Sequence, residues 1–221
     1  MTHILKNNVL NSILRTLRDS STDSAFFRKQ LQLAGMFLSY EILNKEIEPL
    51  EIDVKTPLAL TKAMVINAPV LQLVIMRAGM HLASGGGQVM DELNIPYEIG
   101  IIEAKRIEEG VNNLDFEIDI SSFKVPPITK KNIIIYEPMV ATGNTIIMVL
   151  RRIYEIGMPL KVIIAAVVSA PYGIEKIESL FPDVHFYTLA LDKEGEFKGL
   201  NSEGYIVPGL GDCGDRAFGR Y

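Results

Sequence analysis

The sequence lacks several features that would assign the chain to large classes of protein. Its 221 residues include one cysteine, Cys213, so no internal disulfide can form, which is typical of a reducing cytoplasm. No apolar run approaches the roughly 18 residues that span a bilayer, and the longest covers residues 162–168. Asn7, Asn8 and Arg15 interrupt any N-terminal signal region. We therefore expect a cytoplasmic protein without a membrane partner.

Positive charge is also scarce. The chain carries 22 Lys and Arg against 27 Asp and Glu, a formal net charge of −5. Because non-specific binding to nucleic acid requires a basic field, we expect no nucleic-acid partner. The sequence contains no His and Cys cluster with the spacing of metal ligands. An anionic substrate would need a local site of backbone N–H groups, a few cations and a metal.

Composition and periodicity indicate one α/β domain over residues 1–221. Hydrophobic residues make up 48% and charged residues 22%, which is ordinary for a globular protein, and no internal repeat is present. Helical spacing predicts helices at residues 9–17 and 23–44, with Thr22 or Asp23 as the second N-cap. The apolar stripe of the second helix is Phe27, Leu31, Ala34, Leu38 and Ile42.

Strand and helix patterns alternate through the rest of the chain. The predicted strands are residues 47–54, 58–66, 70–76, 97–103, 132–136, 161–169 and 184–191, and the predicted helices are residues 80–93, 144–156 and 171–180. Residues 111–120 alternate weakly and are predicted to form the far limb of a protruding hairpin that turns near residues 109–113. This alternation predicts a mainly parallel sheet covered on both faces, with ligands beyond the C-terminal strand ends.

A candidate phosphate pocket follows the strand at residues 132–136. The loop reads Glu137-Pro138-Met139-Val140-Ala141-Thr142-Gly143, and a helix begins near Asn144. A helix N-terminus presents backbone N–H groups and partial positive charge, Gly143 permits close approach, and Thr142 and Thr145 offer hydroxyl donors. An ordinary strand–turn–helix connection, with Thr142 or Asn144 as N-cap, explains the local sequence equally well.

Glycine is concentrated in residues 204–219. Gly209, Gly211 and Gly214 match a dinucleotide-binding pattern, but only seven residues follow Gly214, too few for the βαβ unit that this pattern requires. A flexible tail is one interpretation. The aspartates, proline and aromatic residues at fixed places favour a defined loop.

The two segments together resemble those of uracil phosphoribosyltransferases, a branch of the type I phosphoribosyltransferases. In that branch, the string that binds phosphoribosyl pyrophosphate (PRPP) is similar to Asp-Pro-Met-x-Ala-Thr-Gly, and here Glu137 replaces the aspartate. Residues 204–219 resemble the uracil-binding loop of the family. The N-terminal Leu17-Arg18-Asp19, Phe27-Arg28 and Tyr40-Glu41 also resemble the opening helices of the family.

The resemblance implies a Rossmann-like type I phosphoribosyltransferase fold with a mainly parallel sheet flanked by helices. It further implies N-terminal helices at about 8–44, a protruding β-arm at about 103–121 and a C-terminal uracil loop at about 192–221. The 5′-phosphate of PRPP is expected at Ala141, Thr142, Gly143, Asn144 and Thr145. The pyrophosphate is expected at Arg77, Ala78, Gly79 and Arg106, with Lys105 as a second candidate on the arm.

The remaining implied contacts involve the sugar and the base. The ribose is expected near Glu137 and Asp212. Uracil is expected at Tyr205, Ile206, Gly211, Asp212 and Cys213. Main-chain donors and acceptors in a fixed order distinguish uracil from cytosine, because an exchanged group leaves a buried partner unpaired. Cys213 would act through its backbone rather than its thiol.

The resemblance also implies the partners of the reaction. PRPP and uracil would be substrates, UMP and pyrophosphate products, and Mg²⁺ the cofactor, held mainly by PRPP, with Asp212 as a candidate ligand through water. GTP or another nucleotide is a candidate effector, and a homodimer or homotetramer is the expected assembly.

Three departures from the family keep alternatives open. They are Glu137, residues 84–87 with three consecutive glycines, and residues 104–109. The glycines disfavour a helix by up to about 1 kcal/mol each, so the predicted helix at 80–93 would begin late or include a mobile segment. His81 could contact the leaving group or simply pack. The alternatives are a PRPP- or nucleotide-sensing regulatory protein that lost turnover, or an enzyme for another pyrimidine.

Overall fold

The computed structural model describes residues 1–107, 114 and 116–219. In these residues the helices are α1 (Asn8–Arg18), α2 (Ser24–Glu46), α3 (Gly79–Glu92), α4 (Asn144–Ile156), α5 (Pro171–Leu180) and α6 (Cys213–Phe218). The strands are β1 (Thr2–Ile4), β2 (Leu50–Lys55), β3 (Leu60–Val65), β4 (Val70–Met76), β5 (Tyr97–Arg106), β6 (Ile118–Lys124), β7 (Asn132–Tyr136), β8 (Met139–Val140), β9 (Lys161–Ser169) and β10 (His185–Leu191). No helix in this described part combines the length and apolar character needed to cross a membrane.

One sheet organises the fold, in the order β1-β10-β9-β7-β4-β5-β6, with β8 paired to β9. Its pairings are parallel except for the antiparallel pair β5 and β6. The prediction of a mainly parallel sheet is therefore confirmed. Strands β4, β7 and β9 are neighbours, so the loops that follow them meet at one edge of the sheet. Strands β2 and β3 form a separate antiparallel hairpin.

Both faces of the sheet are covered. Along β7, Ile134 and Tyr136 belong to an apolar cluster with residues of α1, α2 and α3, whereas Ile133 and Ile135 belong to a second cluster with residues of α4 and α5. This two-sided burial explains why β7 is a continuous apolar run rather than an alternating one.

Helix α2 forms where its apolar stripe predicted. Asp23 caps it by accepting a hydrogen bond from the Phe26 N–H at 2.9 Å. Every residue of the stripe is fully buried: Phe27, Leu31, Ala34, Leu38 and Ile42. The stripe faces α3 and the sheet, so the helix is stabilised mainly by tertiary packing.

The expectation that three glycines would make the helix at residues 80–93 begin late is wrong. Helix α3 begins at Gly79 and runs through all three glycines. A Cβ on Gly85 would overlap the Gln32 carbonyl of α2, and one on Gly86 would overlap the Tyr136 hydroxyl. Glycine is needed for close approach at this contact, and the packing offsets a propensity cost of about 1 kcal/mol for each glycine.

Three short elements were not predicted, namely β1, β8 and α6. Each spans at most six residues, too few to show a period. The far limb of the β-arm was predicted at residues 111–120, but the strand that pairs antiparallel with β5 is β6, Ile118–Lys124, in which Ile118 lies opposite Arg106. The predicted turn of the arm at residues 109–113 lies outside the described residues.

Candidate active site

The loop after β7 is fixed by hydrogen bonds to the neighbouring strand β9. The Glu137 N–H donates to the Ala165 carbonyl at 3.1 Å. In return, the Val167 N–H donates to the Pro138 carbonyl at 2.9 Å, and the Ala170 N–H donates to the Val140 carbonyl at 2.9 Å. These bonds hold the loop in register with the sheet and so determine where α4 begins.

The N-terminus of α4 forms a cradle suited to an anion. Gly143 adopts a left-handed conformation with φ of 80°, and Asn144 is the first helical residue. Thr142 is buried, Thr145 is partly exposed, and the first turn of α4 holds no acidic residue. A Cβ on Gly143 would lie 2.9 Å from the Gly173 carbonyl oxygen of α5. The first-turn N–H groups and the helix dipole thus favour negative charge here.

Asn144 directs its side chain away from this cradle. Its amide donates to the carbonyls of Leu114, at 3.3 Å, and Phe116, at 3.0 Å, beside the β-arm. The Lys176 ammonium of α5 donates to its Oδ1 at 2.9 Å. Asn144 therefore ties the arm to α4 and α5, and only its backbone belongs to the predicted phosphate pocket.

Glu137 lies at the end of β7 in an environment that favours its protonated form. Burial is the largest cause, and it raises the pKa of Glu137 to about 8. A hydrogen bond from the Met139 N–H, at 3.4 Å, acts in the opposite direction, and the negative charge of Asp212 raises the pKa further. Leu210 and Cys213 of the C-terminal loop belong to the same apolar cluster as Tyr136, which places this loop near the end of β7.

The turn after β4 packs against the same strand end. A Cβ on Gly79 would overlap the Tyr136 carbonyl, so the close approach requires glycine. The Arg77 Nη2 lies 3.6 Å from the Asp215 Oδ1, and its guanidinium carbon lies 6.0 Å from the centroid of the Phe218 ring. The turn formed by Arg77, Ala78 and Gly79 is thereby placed between β7 and α6.

The side chains of His81 and Arg106 each pack against an aromatic ring. The His81 ring stacks on Phe218 with centroids 5.0 Å apart, and burial followed by the nearby Arg28 charge lowers its pKa. Arg106 lies at the end of β5, with its guanidinium carbon 4.0 Å from the Phe116 ring centroid. The structure thus places Arg106 on the β-arm and Arg77 at the sheet edge.

The C-terminal segment is a defined loop that ends in a short helix. Gly209 and Gly211 adopt left-handed φ values of 59° and 76°. Asp212 caps α6 by accepting a hydrogen bond from the Asp215 N–H at 2.8 Å. Ile206 is buried and bridges to Leu200. The flexible-tail interpretation is therefore wrong for the described residues, which end at 219.

Two predicted uracil contacts differ in their surroundings. Cys213 is fully buried, and burial, followed by the charges of Glu137 and Asp212, raises the pKa of its thiol well above the ordinary value. Such a thiol is a poor nucleophile. The Tyr205 side chain is half exposed, and its backbone N–H and carbonyl both bond to Asn201 at 2.9 Å.

Sequence reasoning missed the ion pair that anchors this loop. Asp192, just after β10, is only 6% exposed and accepts two hydrogen bonds from Arg18 of α1, at 2.6 and 2.9 Å. An acid that directly follows a buried strand was the available signal, but no local pattern connects it to residue 18. Arg216 adds a further link, because it donates to the Leu210 carbonyl at 2.7 Å.

Asp212 is the carboxylate that the resemblance offers to a metal ion, and the Asp215 carboxylate also lies at this site, 3.6 Å from the Arg77 Nη2. Within residues 1–107, 114 and 116–219, no three His, Cys, Asp or Glu side chains are grouped to hold one. Mg²⁺ is commonly bound by one or two carboxylates together with substrate phosphates. The site therefore fits a magnesium ion that arrives with a phosphorylated ligand, rather than one held by protein alone.

The parallel sheet, the loop that opens α4 and the turn at Arg77 define a type I phosphoribosyltransferase fold. The hypoxanthine phosphoribosyltransferase of Trypanosoma cruzi shares this fold at a TM-score of 0.50 and 12% identity, over 77% of this chain and 82% of that one. The AQ2163 protein of Aquifex aeolicus matches with a TM-score of 0.86 and 32% identity, over 99% and 98% of the two chains.

Within that class, the chain belongs to the uracil phosphoribosyltransferase family, whose model matches residues 4–220. The uracil phosphoribosyltransferase of Thermococcus gammatolerans is 38% identical over 94% of this chain and 88% of its own. That of Methanococcus vannielii is 38% identical over 95% and 86%. No comparison favours the regulatory alternative, and the glycines that motivated it belong to a regular helix.

Proposed function

We propose that the protein transfers the phosphoribosyl group of PRPP to uracil, giving UMP and pyrophosphate, as a pentosyltransferase. One observation supports this proposal: the cradle at α4, the turn at Arg77 and the C-terminal loop all contribute residues to the apolar cluster around Tyr136, at the end of β7. The reaction joins a flat base to a sugar that carries a 5′-phosphate and a pyrophosphate. It therefore requires three such surfaces around one point.

The phosphate groups would bind at the two turns. The 5′-phosphate would accept hydrogen bonds from the start of α4, formed by Ala141, Thr142, Gly143, Asn144 and Thr145. The pyrophosphate would lie against the turn of Arg77, Ala78 and Gly79, with Arg106 reaching it from the β-arm. Arg77 provides charge-assisted hydrogen bonds to a leaving group that gains negative charge.

The ribose would lie between Glu137 and Asp212. Because its pKa is raised to about 8, Glu137 is mostly protonated at neutral pH and can both donate to and accept from sugar hydroxyls. Mg²⁺, held mainly by PRPP and by Asp212 through water, would neutralise charge on the leaving group.

Uracil would pair with the main chain of the C-terminal loop. Ile206, Gly211 and Cys213 would offer N–H and carbonyl groups to the base, with Tyr205 and Asp212 beside it. The ring nitrogen would form a bond to the anomeric carbon as the bond to pyrophosphate breaks, and the proton of that nitrogen would pass to solvent. The protein contributes mainly by orienting the two reactants and stabilising developing charge.

Product analysis tests the proposed function. Purified protein is incubated with PRPP, Mg²⁺ and one of uracil, cytosine, hypoxanthine or orotate, and nucleotides are separated by chromatography. We expect UMP from uracil and no product from the other bases. Arg77→Ala should lower turnover strongly, and an unchanged rate would contradict the pyrophosphate assignment. PRPP binding without any product would contradict the proposed reaction.

We also propose that the protein is cytoplasmic, that each chain is a single phosphoribosyltransferase domain, and that the chains assemble as a homodimer or homotetramer. The hairpin of β2 and β3 supports self-association, because Leu58, Leu60 and Met64 are 97%, 76% and 60% exposed there. Light scattering of the wild type and of Leu60→Asp tests this, since the variant should shift toward monomer. A GTP or other nucleotide effector stays a prediction that rests on the family resemblance.

A further inference from the structure

An ion pair distant from the reacting atoms holds the C-terminal loop by its main chain. Arg18 contacts both oxygens of Asp192, with Nη2 2.6 Å from Oδ1 and Nη1 2.9 Å from Oδ2. The same pair engages Gly209 twice. Its N–H donates to the Asp192 Oδ2 at 2.9 Å, and its carbonyl accepts from the Arg18 Nη1 at 2.9 Å.

The backbone at Gly209 has no room for a side chain. Its φ of 59° is left-handed, and a Cβ there would overlap the Ile206 carbonyl. The residue therefore forms the tight turn between Ile206 and Gly211, two of the proposed uracil contacts. Arg18, Gly211 and Asp212 also line one cavity of about 410 Å³, so the pair lies directly beside the loop.

Two consecutive carbonyl groups of the loop are already bonded to arginine side chains. The Gly209 carbonyl is directed to Arg18, and the next carbonyl, of Leu210, is directed to Arg216. Arg216 in turn donates to the Asp19 carbonyl at 2.6 Å, just past the end of α1. The two arginines thus turn consecutive carbonyls toward α1, and this orientation fixes how Gly211 and Asp212 are presented.

We infer that Arg18 and Asp192 are positioning residues for uracil: they fix Gly209 by both its main-chain groups and so hold the C-terminal loop in its base-binding conformation. This inference rests on the proposed function. Without the pair, only a fraction of molecules would present the loop correctly, and the apparent affinity for uracil would fall by that fraction. The phosphate contacts at α4 lie outside this loop, whereas the ribose contact of Asp212 lies within it, so binding of uracil should weaken more than binding of PRPP.

The test compares kinetic constants of Asp192→Asn and Arg18→Lys with wild type. Asparagine offers one oxygen where three donors now converge, and lysine cannot serve both carboxylate oxygens and the Gly209 carbonyl together. We expect KM for uracil to rise about ten-fold in both variants. KM for PRPP should rise less than KM for uracil, and kcat at saturating uracil should stay within about two-fold of wild type.

A matched control separates positioning from general destabilisation. Lys161→Met breaks another ion pair with a carboxylate that is 6% exposed, Glu46, at the opposite end of the strands. It should leave KM for uracil unchanged. Amide hydrogen exchange of residues 204–212 adds a readout independent of turnover, and exchange should be faster in Arg18→Lys than in Lys161→Met.

The outcomes are distinguishable. If wild type forms no UMP, the proposed function fails. If wild type is active but Arg18→Lys and Asp192→Asn keep the wild-type KM for uracil, the positioning inference fails alone. Equal changes in both KM values and kcat, or an equal rise in KM for uracil in Lys161→Met, would also overturn it. Should Asp192→Asn not fold, Arg18→Lys and its hydrogen exchange decide.

Discussion

Replacing Glu137 with glutamine should stabilise the ligand-free protein at high pH. Glutamine has nearly the same shape but cannot ionise. Glu137 holds its proton more tightly in the folded protein than in the unfolded chain, because burial and Asp212 raise its pKa from 4.5 to about 8. The wild type therefore loses stability as the pH rises through this interval, whereas Glu137→Gln does not.

The size of the effect follows from the interval. It spans about 3.5 pH units, and at about 1.4 kcal/mol per unit the ionised carboxylate destabilises the fold by at most about 5 kcal/mol above pH 8. Glu137 keeps partial contact with solvent. Water relieves part of the penalty, so we expect about 2–4 kcal/mol at pH 9 and less than about 1 kcal/mol at pH 5.

Urea unfolding of wild type and Glu137→Gln at pH 5, 7 and 9 measures this difference. Glu155→Gln is the control, because that glutamate is 61% exposed and pairs with Arg152 across the helix surface; its effect should not grow with pH. A difference between wild type and Glu137→Gln that is constant from pH 5 to 9 would refute the proposed protonation.

Three further predictions follow from named contacts. Gly143→Ala should lower the free energy of unfolding by about 1–3 kcal/mol, measured in urea, since φ is 80° and the new Cβ meets the Gly173 carbonyl. Lys161→Met should lower stability by about 3 kcal/mol at pH 7. The loss should shrink in acid, because the pKa of Glu46, near 2, is below its usual 4.5, and the ion pair disappears as that carboxylate protonates. Cys213 should not react with a thiol reagent at pH 8 until the protein is unfolded, since it is buried and its pKa is raised.

Sequence patterns predicted the elements whose periodicity spans several turns or a whole strand. The stripe of α2 and the apolar run of β7 are examples, because burial on one or both faces dictates their residue types. The glycines of α3 misled the prediction, since single-residue propensity was weighed without knowing that Gln32 and Tyr136 lie against them. Packing against residues distant in the sequence determined that these glycines are helical.

The candidate site was predictable where the chemistry is local. The turn at Gly143 and the C-terminal loop were predicted from their residue types, glycine above all. The direction of the Asn144 side chain was not predictable, because it depends on Lys176 and the arm. The Arg18–Asp192 pair was also missed, since ordinary charged residues carry no signal of a partner far along the chain.

The distance between those partners has a consequence for biosynthesis. Arg18 and Asp192 are 174 positions apart. Contacts between such distant residues require a costly loop closure and form slowly. At about 5–20 residues per second, the ribosome releases α1 roughly 10–35 seconds before Asp192 is made. Arg18 therefore lacks this partner until Asp192 is made, and the surface for the base can assemble only after that point.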